Sequence, residues 1–305
     1  MDTQATNSKP KESAHALLAE IIDYAGLFPP SQISMAEAAA NYAAHKNSNY
    51  NWMLGRFIVP TARLDEFIEY ADEFIEPGAE NGWRLSVLAG EDIYESVRRV
   101  DRFNTQNSSR VLCDALEVKA ATVSKIENTV NILPDYLTAY FEIPLGANLA
   151  DLVSTLAICG QRAKIRTGGI TADAFPSTAE IIRFTRICLA ANVPFKATAG
   201  LHHPIRCFKP LTYAPDAPSG TMHGFLNLFL AAGFARQGFK PNFLEGLLED
   251  EFAESFEFSD GGVTWHRDYI LTVHQIALMR EQNLISFGSC SFDEPIEDLK
   301  QIGIL

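Results

Sequence analysis

Two lysines, Lys164 and Lys196, lie 32 positions apart in similar surroundings. The first begins the segment K-I-R-T-G-G and the second lies in F-K-A-T-A-G, so glycine follows each strand-like run. A helix-length segment separates them, which is typical of neighbouring parallel strands. Desolvation and a nearby cation both favour loss of a lysine proton, and a neutral amine can attack a carbonyl to form a Schiff base. The pair therefore predicts imine chemistry.

The free energy needed for this chemistry is within reach of a buried pair of amines. Lowering a lysine pKa from about 10.4 to near 7 takes roughly 4–5 kcal/mol. One cation a few ångströms away contributes roughly 4 kcal/mol at an effective dielectric constant near 20, and burial adds to it. The alternative is that one or both lysines form ion pairs with carboxylates inside the protein, and it stays open.

Acidic residues on the predicted strands are candidate proton carriers. Asp114 lies on the fourth strand, two residues after Leu112, and is expected to face inward. Glu142 lies near the end of the fifth strand, and Asp23, near the end of the first, is a weaker candidate. Asp114 or Glu142 could move protons on the carbon beside an iminium or hold a lysine in place. A purely structural salt bridge is the competing interpretation for each.

Glycines, hydroxyls and one arginine near the ends of the last strands predict a site for the anionic group of a substrate. Backbone N–H groups and hydroxyls at strand ends commonly bind phosphate in barrel proteins, although the same residues also cap helices. The candidates are Arg166, Thr167, Gly168, Gly169, Thr198, Gly200, His202, Gly288, Ser289 and Ser291.

The predicted elements alternate between strand and helix, which indicates parallel strands. Eight strand-like runs occur, at residues 20–26, 52–59, 83–89, 110–118, 137–145, around Lys164, around Lys196 and at 284–288. Eight such units predict an α/β fold, a closed (β/α)8 TIM barrel with its reactive groups at the carboxyl ends of the strands. An open doubly wound sheet is the second choice, but no phosphate-binding glycine loop follows the first strand.

The domain prediction is a flexible segment at residues 1–13 and a single barrel domain at 14–305, with a long insertion at 201–283 between strands seven and eight. We expect helices at 222–235 and 266–281 inside the insertion. A segment this long commonly serves as a lid or an interface, but a surface elaboration without a catalytic part is an equal alternative. Self-association through the Phe-rich run at 225–229 stays open, although burial within its own domain is expected.

Composition excludes some functions. The formal net charge of −13 argues against nucleic-acid binding and against an anionic membrane surface, while a local basic pocket for a small anion stays compatible with it. The five cysteines are scattered without a C-x-x-C motif, so neither a disulfide framework nor a zinc knuckle is predicted. We expect a cytoplasmic protein.

The last three strands resemble those of the deoxyribose-phosphate aldolases, which are class I aldolases on a (β/α)8 barrel. The resemblance rests on Lys164 to Gly168, on Lys196 to Gly200 and on F-G-S-C-S at 287–291. It implies that Lys164 is the Schiff-base residue, Lys196 the cation that lowers its pKa, and Asp114 the strand-four acid. Ser289 and Ser291 would then bind phosphate. The chain departs from this family at Ile165, at Arg166 and in the insertion. It is also similar to bacterial proteins of unassigned function, which share its K-x-R-T-G-G and F-K-A-T-A-G-L-H-H segments.

The sequence therefore predicts a class I aldolase or lyase that acts on a small carbonyl compound bearing phosphate or carboxylate. It would need no metal and no organic cofactor. Two alternatives remain, and the first is a metal-dependent hydrolase or lyase that uses His202, His203, Glu142 and Asp114, although no H-x-H or H-E-x-x-H motif occurs. The second is a non-catalytic barrel that binds a small ligand.

Overall fold

The computed structural model describes residues 9–75, 82–107 and 109–305. Eight parallel strands form the barrel: β1 (Ile22–Tyr24), β2 (Leu54–Pro60), β3 (Trp83–Leu88), β4 (Val111–Lys119), β5 (Thr138–Glu142), β6 (Arg162–Arg166), β7 (Phe195–Thr198) and β13 (Leu284–Ser289). The sheet closes in the order β1-β13-β7-β6-β5-β4-β3-β2, and strands β8 to β12 belong to the insertion described below. All eight fall on the predicted strand-like runs, so the prediction of a (β/α)8 barrel is confirmed. Closure of the sheet excludes the open doubly wound alternative.

Helices cover the outside of the barrel, and loops connect them to the strands that precede and follow them. Those that precede the insertion are α1 (Glu12–Leu18), α2 (Met35–Lys46), α3 (Leu64–Ala71), α4 (Ile93–Asn107), α5 (Val123–Val130), α6 (Leu149–Ile158) and α7 (Thr178–Ala190), and α11 (Asp293–Gln301) follows β13. Single 3-10 turns lie at Asn51–Met53, Thr61–Arg63, Asp72–Phe74, Ala172–Ala174 and Ala253–Ser255.

Local sequence explains where the helices begin and which face they bury. The α7 helix begins at a capping box, in which Ser177 and Glu180 satisfy each other's backbone N–H groups. The α3 helix buries Leu64, Phe67 and Ala71, which recur at the spacing of one helical face. Apolar burial of this kind, repeated around the ring, fixes the strands and therefore the side chains at their carboxyl ends.

The insertion at 201–283 has several elements of its own. It contains the hairpin β8 (Cys207–Pro210) and β9 (Ser219–Met222), helices α8 (Phe225–Arg236) and α9 (Pro241–Leu248), a three-stranded antiparallel sheet and α10 (Val273–Gln282). The sheet comprises β10 (Phe256–Phe258), β11 (Gly262–Trp265) and β12 (Tyr269–Thr272). The predicted helix at 266–281 is therefore wrong over its first part, where Tyr269–Thr272 pairs with β11.

Helix α8 is the packing partner of β13 rather than an exposed contact surface. Its residues from Phe225 to Phe234 are all buried, and the Phe225 ring stacks on Phe287 of β13 at a centroid distance of 5.0 Å. The Phe-rich run is consequently core, because a helix that is apolar on all sides needs burial on all sides.

The amino-terminal residues within the described range contact the insertion. Lys11 Nζ donates to the carbonyl oxygen of Phe258 at 2.8 Å, and the Glu12 N–H donates to Asp260. Residues 1–8 of the predicted flexible segment lie outside the described residues. No helix in the part of the chain that the structure describes has both the length and the apolarity to cross a bilayer.

Candidate functional site

A cavity of about 490 Å³ opens at the carboxyl ends of the barrel strands. The strands contribute charged groups to its floor, and the loops after β1, β6, β7 and β13 contribute its rim. Its lining includes Phe28, Pro29, Ile58, Leu88, Glu117, Lys119, Glu142, Lys164, Arg166, Gly169, Ile170, Thr198, Gly200, His202, Gly288 and Cys290. Active sites of (β/α)8 barrels form at this end of the sheet.

The strand register brings the predicted lysines together. Lys164 on β6 is the register partner of Lys196 on β7 and of Glu142 on β5. The two amines do not face each other directly, because Glu117 of β4 lies between them. Its Oε2 is 2.6 Å from Lys164 Nζ, and its Oε1 is 2.7 Å from Lys196 Nζ. One buried carboxylate therefore bridges the lysine pair.

Lys196 is fixed as a cation beneath the cavity. Its side chain is 1% exposed and lies 2.5 Å from Asp23 Oδ2 as well as against Glu117. Burial by itself would lower the pKa of Lys196, but the charges of Asp23 and Glu117 and their hydrogen bonds outweigh burial and raise the pKa above its ordinary value. The ammonium also lies 5.4 Å from the centre of the Tyr140 ring. Lys196 thus stays protonated throughout the working pH range.

Glu117 stays ionised for the complementary reason. Burial would raise its pKa, but the charges of Lys164 and Lys196 lower it far below the ordinary value for glutamate. Ser86 on β3 donates a further hydrogen bond to Oε1 at 2.7 Å. The carboxylate is therefore a permanent anion whose position is fixed from three strands.

Lys164 differs from Lys196 because it reaches the cavity. Its Nζ contacts Glu117 and lies 2.9 Å from Glu142 Oε2, and its side chain lines the cavity floor. Glu142 also accepts from Arg166 Nε at 3.1 Å. Burial would raise the pKa of Glu142, but Lys164 and then Arg166 lower it below its ordinary value. Lys164 is consequently the lysine that a ligand can touch, with a carboxylate beside it that can exchange a proton.

Asp114 lies away from this cluster. Its carboxylate binds Arg56 Nε at 2.6 Å and Arg84 at 2.7 Å, and these arginines lie near the amino ends of β2 and β3. Burial would raise the pKa of Asp114, but the hydrogen bonds and charges of the two arginines lower it below its ordinary value. The structure therefore places Asp114 in an ion-pair group near the amino ends of β2 and β3, and Glu117 is the acid of β4 that contacts the two lysines.

This placement predicts the effect of an Asp114→Asn substitution. We expect a loss of roughly 1–3 kcal/mol in the free energy of unfolding, because the partly buried Arg56 guanidinium loses its anion, while the exposed Arg84 contributes little. Reaction of Lys164 with a carbonyl probe should stay intact. Guanidinium unfolding and borohydride trapping measure the two effects. Loss of trapping in a variant that remains folded would show that Asp114 takes part in the reaction of Lys164.

The glycine-rich turns are built for close packing of two loops. A Cβ on Gly168 would lie 2.8 Å from Gly200 Cα and 2.5 Å from the Phe175 ring. The backbone of the loop after β6 is therefore in direct contact with the backbone of the loop after β7. Gly200 has a φ of 74°, which favours glycine, and Thr167 Oγ1 donates to Ala199 O at 2.7 Å. Gly169, Gly200 and Thr198 line the cavity, whereas Thr167 is tied to the neighbouring loop.

The two serines that the resemblance assigns to phosphate have other partners. Ser289 Oγ accepts from the Ser291 N–H at 3.4 Å, and Ser291 Oγ accepts from the Glu294 N–H at 3.1 Å. Neither lines the cavity, in which Gly288 and Cys290 represent this strand end. The serines therefore shape the start of α11, which is the competing interpretation given above for hydroxyls at a helix start.

Three functional candidates carried little or no signal in the sequence. Glu117 was not a candidate, because regular alternation from Asp114 directs it outward. Asp23 was only a weak candidate, and Cys290 was one of five scattered cysteines. Cys290 lines the cavity within 3.9 Å of His202, so only the fold connects the two.

These features define a class of site: a (β/α)8 barrel with a buried lysine–carboxylate network beneath an open cavity. Three carboxylates, Asp23, Glu117 and Glu142, face the two lysines in this network. Compared with known proteins, the sequence matches no protein-family model and no curated protein. The chemistry of the site is accordingly argued from its geometry.

Proposed function

We propose that this protein is a class I aldolase or lyase that forms a Schiff base through Lys164. The observation that carries the proposal is the position of Lys164 at the floor of an open cavity, between Glu117 and Glu142 and beside the fixed cation Lys196. The scheme requires neither a metal nor an organic cofactor.

The carboxylates beside Lys164 supply the proton transfers. Glu142 takes a proton from the Lys164 ammonium, and the free amine adds to the substrate carbonyl carbon. The carbinolamine then loses water, with its hydroxyl protonated by the Glu142 carboxyl, and an iminium remains. In the cleavage direction a base takes the proton of the β-hydroxyl, the carbon–carbon bond breaks, and its electron pair moves toward the iminium to give an enamine.

The electrostatics of the cluster suit this intermediate. The iminium restores the positive charge that the lysine ammonium had, and Lys196 stays paired with Glu117 during the intervening neutral steps. Lys164 and Lys196 lower the pKa of Glu117 and hold it ionised, so the cluster keeps a carboxylate beside the reacting nitrogen. The distant resemblance to deoxyribose-phosphate aldolases supports the same assignment, with Glu117 rather than Asp114 as the strand-four acid.

Arg166 is the proposed partner of the anionic group of the substrate. Its Nε holds Glu142, its side chain is 49% exposed, and it lines the cavity. Among the described residues its guanidinium has no other ion pair, so its terminal nitrogens are available to a carboxylate or phosphate. The exposed Lys119 lines the same side of the cavity.

The role of Arg166 predicts a selective effect of Arg166→Gln. A charge-assisted hydrogen bond is worth about 2 kcal/mol. Because pyruvate carries a carboxylate, we expect the pyruvate concentration that gives half-maximal imine trapping to rise roughly 30-fold. Trapping by acetaldehyde, which carries no charge, should change little. The measurement is trapped protein against probe concentration, and equal effects on both probes would contradict an anion-binding role.

The metal-dependent alternative is not supported by the geometry of its proposed ligands. His202 pairs with Glu294, His203 with Asp298, Asp114 with arginines and Glu142 with Lys164. Within residues 9–75, 82–107 and 109–305 no three His, Cys, Asp or Glu side chains come together in a way that could hold a metal ion. A non-catalytic ligand-binding barrel would require Lys164 to be unreactive, which the next experiment tests.

Borohydride trapping tests the proposal directly. Incubation with pyruvate or acetaldehyde and then with borohydride should reduce the imine and leave a stable adduct on Lys164, located by peptide mass spectrometry. An adduct on another lysine, or the absence of any adduct with a panel of small aldehydes and keto acids, would overturn it. The proposal includes a cytoplasmic location, as expected from the scattered cysteines.

A further inference from the structure

A second reactive cluster lies in the wall of the same cavity, directly after β13. The sulfur of Cys290 is 3.9 Å from Nδ1 of His202 and 3.9 Å from the hydroxyl of Tyr213 in the insertion. Cys290 is only 5% exposed, yet it lines the cavity. A small molecule inside the cavity can therefore reach the sulfur, whereas a bulky one cannot.

Glu294 at the start of α11 orients His202. Its Oε2 lies 3.2 Å from Nδ1 of His202 and accepts from Tyr213 at 3.1 Å. Among the described residues only Nδ1 of His202 has hydrogen-bond partners, and the ring lines the cavity. Cys290 and Glu294 both lie against Nδ1, so Nε2 of the same ring is left to face a ligand in the cavity.

Charge distribution distinguishes this cysteine from others in the chain. Burial would lower the pKa of His202, but Cys290 and Glu294 raise it to about 9. Burial would raise the pKa of Cys290, but His202 and hydrogen bonds with Ser31 lower it below its ordinary value. Burial raises the pKa of Cys113, Cys188 and Cys207 instead. Thiolates, not thiols, are the nucleophiles.

We propose that Cys290, His202 and Glu294 form a nucleophilic thiol site that takes small electrophilic carbon compounds, above all aldehydes, inside the lysine cavity. The sulfur electron pair forms the C–S bond, the carbonyl π pair moves to oxygen, and that oxygen takes the proton from Nε2 of His202. The product is a hemithioacetal beside a neutral histidine, and no further reactant is needed. This chemistry is independent of imine formation at Lys164.

Alkylation with iodoacetamide tests the thiol. At pH 7 we expect Cys290 to react about tenfold faster than Cys159, the partly exposed cysteine at the end of α6, despite its lower exposure. His202→Gln should bring the Cys290 rate down to that of Cys159 or below. His203→Gln is the matched control, since the His203 ring pairs with Asp298 and should leave the rate unchanged. Faster reaction at Cys159, or no effect of His202→Gln, would overturn the proposal.

The pH profile of the intact protein keeps the test valid if a variant fails to fold. The titratable groups that face Cys290 are His202, Tyr213, Glu294 and Tyr24. Between pH 6 and pH 9 the Cys290 rate should fall less steeply toward low pH than the rate of N-acetylcysteine, a free thiol measured in the same solution. Parallel profiles would contradict a thiolate held by His202.

Two further probes test cavity access and the aldehyde. A maleimide carrying a long polyethylene glycol chain should leave Cys290 unmodified, and rapid modification would contradict access through the cavity. In the Lys164→Met variant, which cannot form the imine, acetaldehyde should slow iodoacetamide labelling of Cys290. Absence of this protection would overturn the aldehyde assignment without bearing on Lys164.

Discussion

Lys164→Met is expected to abolish borohydride-dependent labelling and to reduce turnover by on the order of 10³-fold or more, because removal of a covalent nucleophile removes the reaction path itself. Methionine retains the unbranched, apolar part of the side chain, so the cavity floor should keep its shape. The readouts are the trapped adduct with pyruvate or acetaldehyde and, once a substrate is found, the rate at saturating concentration.

Two control variants separate the nucleophile from its charge and from its surroundings. Lys164→Arg retains a cation for Glu117 and Glu142 but cannot form an imine, so it should be as inactive as Lys164→Met while closer to the parent in stability. Lys119→Met removes a lysine from the rim of the same cavity and should leave the adduct on Lys164 in place. Labelling that persists without Lys164 would refute the assignment of the nucleophile.

Lys196→Met is expected to reduce the free energy of unfolding by about 3–5 kcal/mol at pH 7. The substitution leaves Asp23 and Glu117 as buried carboxylates without the cation that holds both of them. Guanidinium unfolding followed by circular dichroism measures the change. Lys300→Met, which removes the partner of Glu297 on the surface, should change the free energy by less than about 1 kcal/mol.

The pH dependence of this effect has a definite sign. In the parent protein the pKa of Glu117 is lowered by Lys164 and Lys196, so its contribution to stability is present above the unfolded value of about 4.3 and is lost as the pH falls toward the folded value. In Lys196→Met the Glu117 carboxylate has lost one of the two cations that lower its pKa, so the variant loses less stability when the pH falls below about 4.3. The stability difference between the two proteins should therefore be largest at pH 7 and smaller at pH 4.

The double variant Lys196→Met, Asp23→Asn removes one of the uncompensated charges and should recover part of the loss, because the two side chains interact directly. A stability loss for Lys196→Met no larger than that of the surface control would contradict the role of Lys196 as the fixed cation of the cluster. So would a loss that grows as the solution becomes more acidic.

The position of the strand-four acid shows why sequence alone did not define the whole site. Regular alternation from Leu112 through Asp114 makes Glu117 face outward. In the structure Leu85 pairs with Cys113 and Ser86 with Ala115, so Asp114 occupies a β-bulge. One extra residue reverses the alternation beyond it and directs Glu117 inward to the lysines. A bulge of this kind has no reliable signature in the sequence.

The residues predicted to bind an anion fall into two groups for a related reason, and anion binding itself stays a prediction. Arg166, Gly169, Thr198, Gly200, His202 and Gly288 line the cavity, as residues at the ends of neighbouring strands should. Ser289 and Ser291 do not, because the chain turns into α11 directly after β13 and uses their oxygens for backbone N–H groups. The turn brings Cys290 into the cavity instead, and whether a turn exposes one residue or its neighbour depends on backbone geometry that spacing does not specify.

The sequence by itself determined the eight β/α units, the barrel and the adjacent positions of Lys164 and Lys196, because strand periodicity and parallel pairing are local consequences of residue type. Only the tertiary structure decided which acids meet those lysines, since Asp23 lies 173 positions from Lys196 and Glu117 lies 47 from Lys164. It also brought Cys290 to His202 across 88 positions. Contacts between distant strands depend on register, bulges and loop paths together, and closure of the barrel fixes all of these at once.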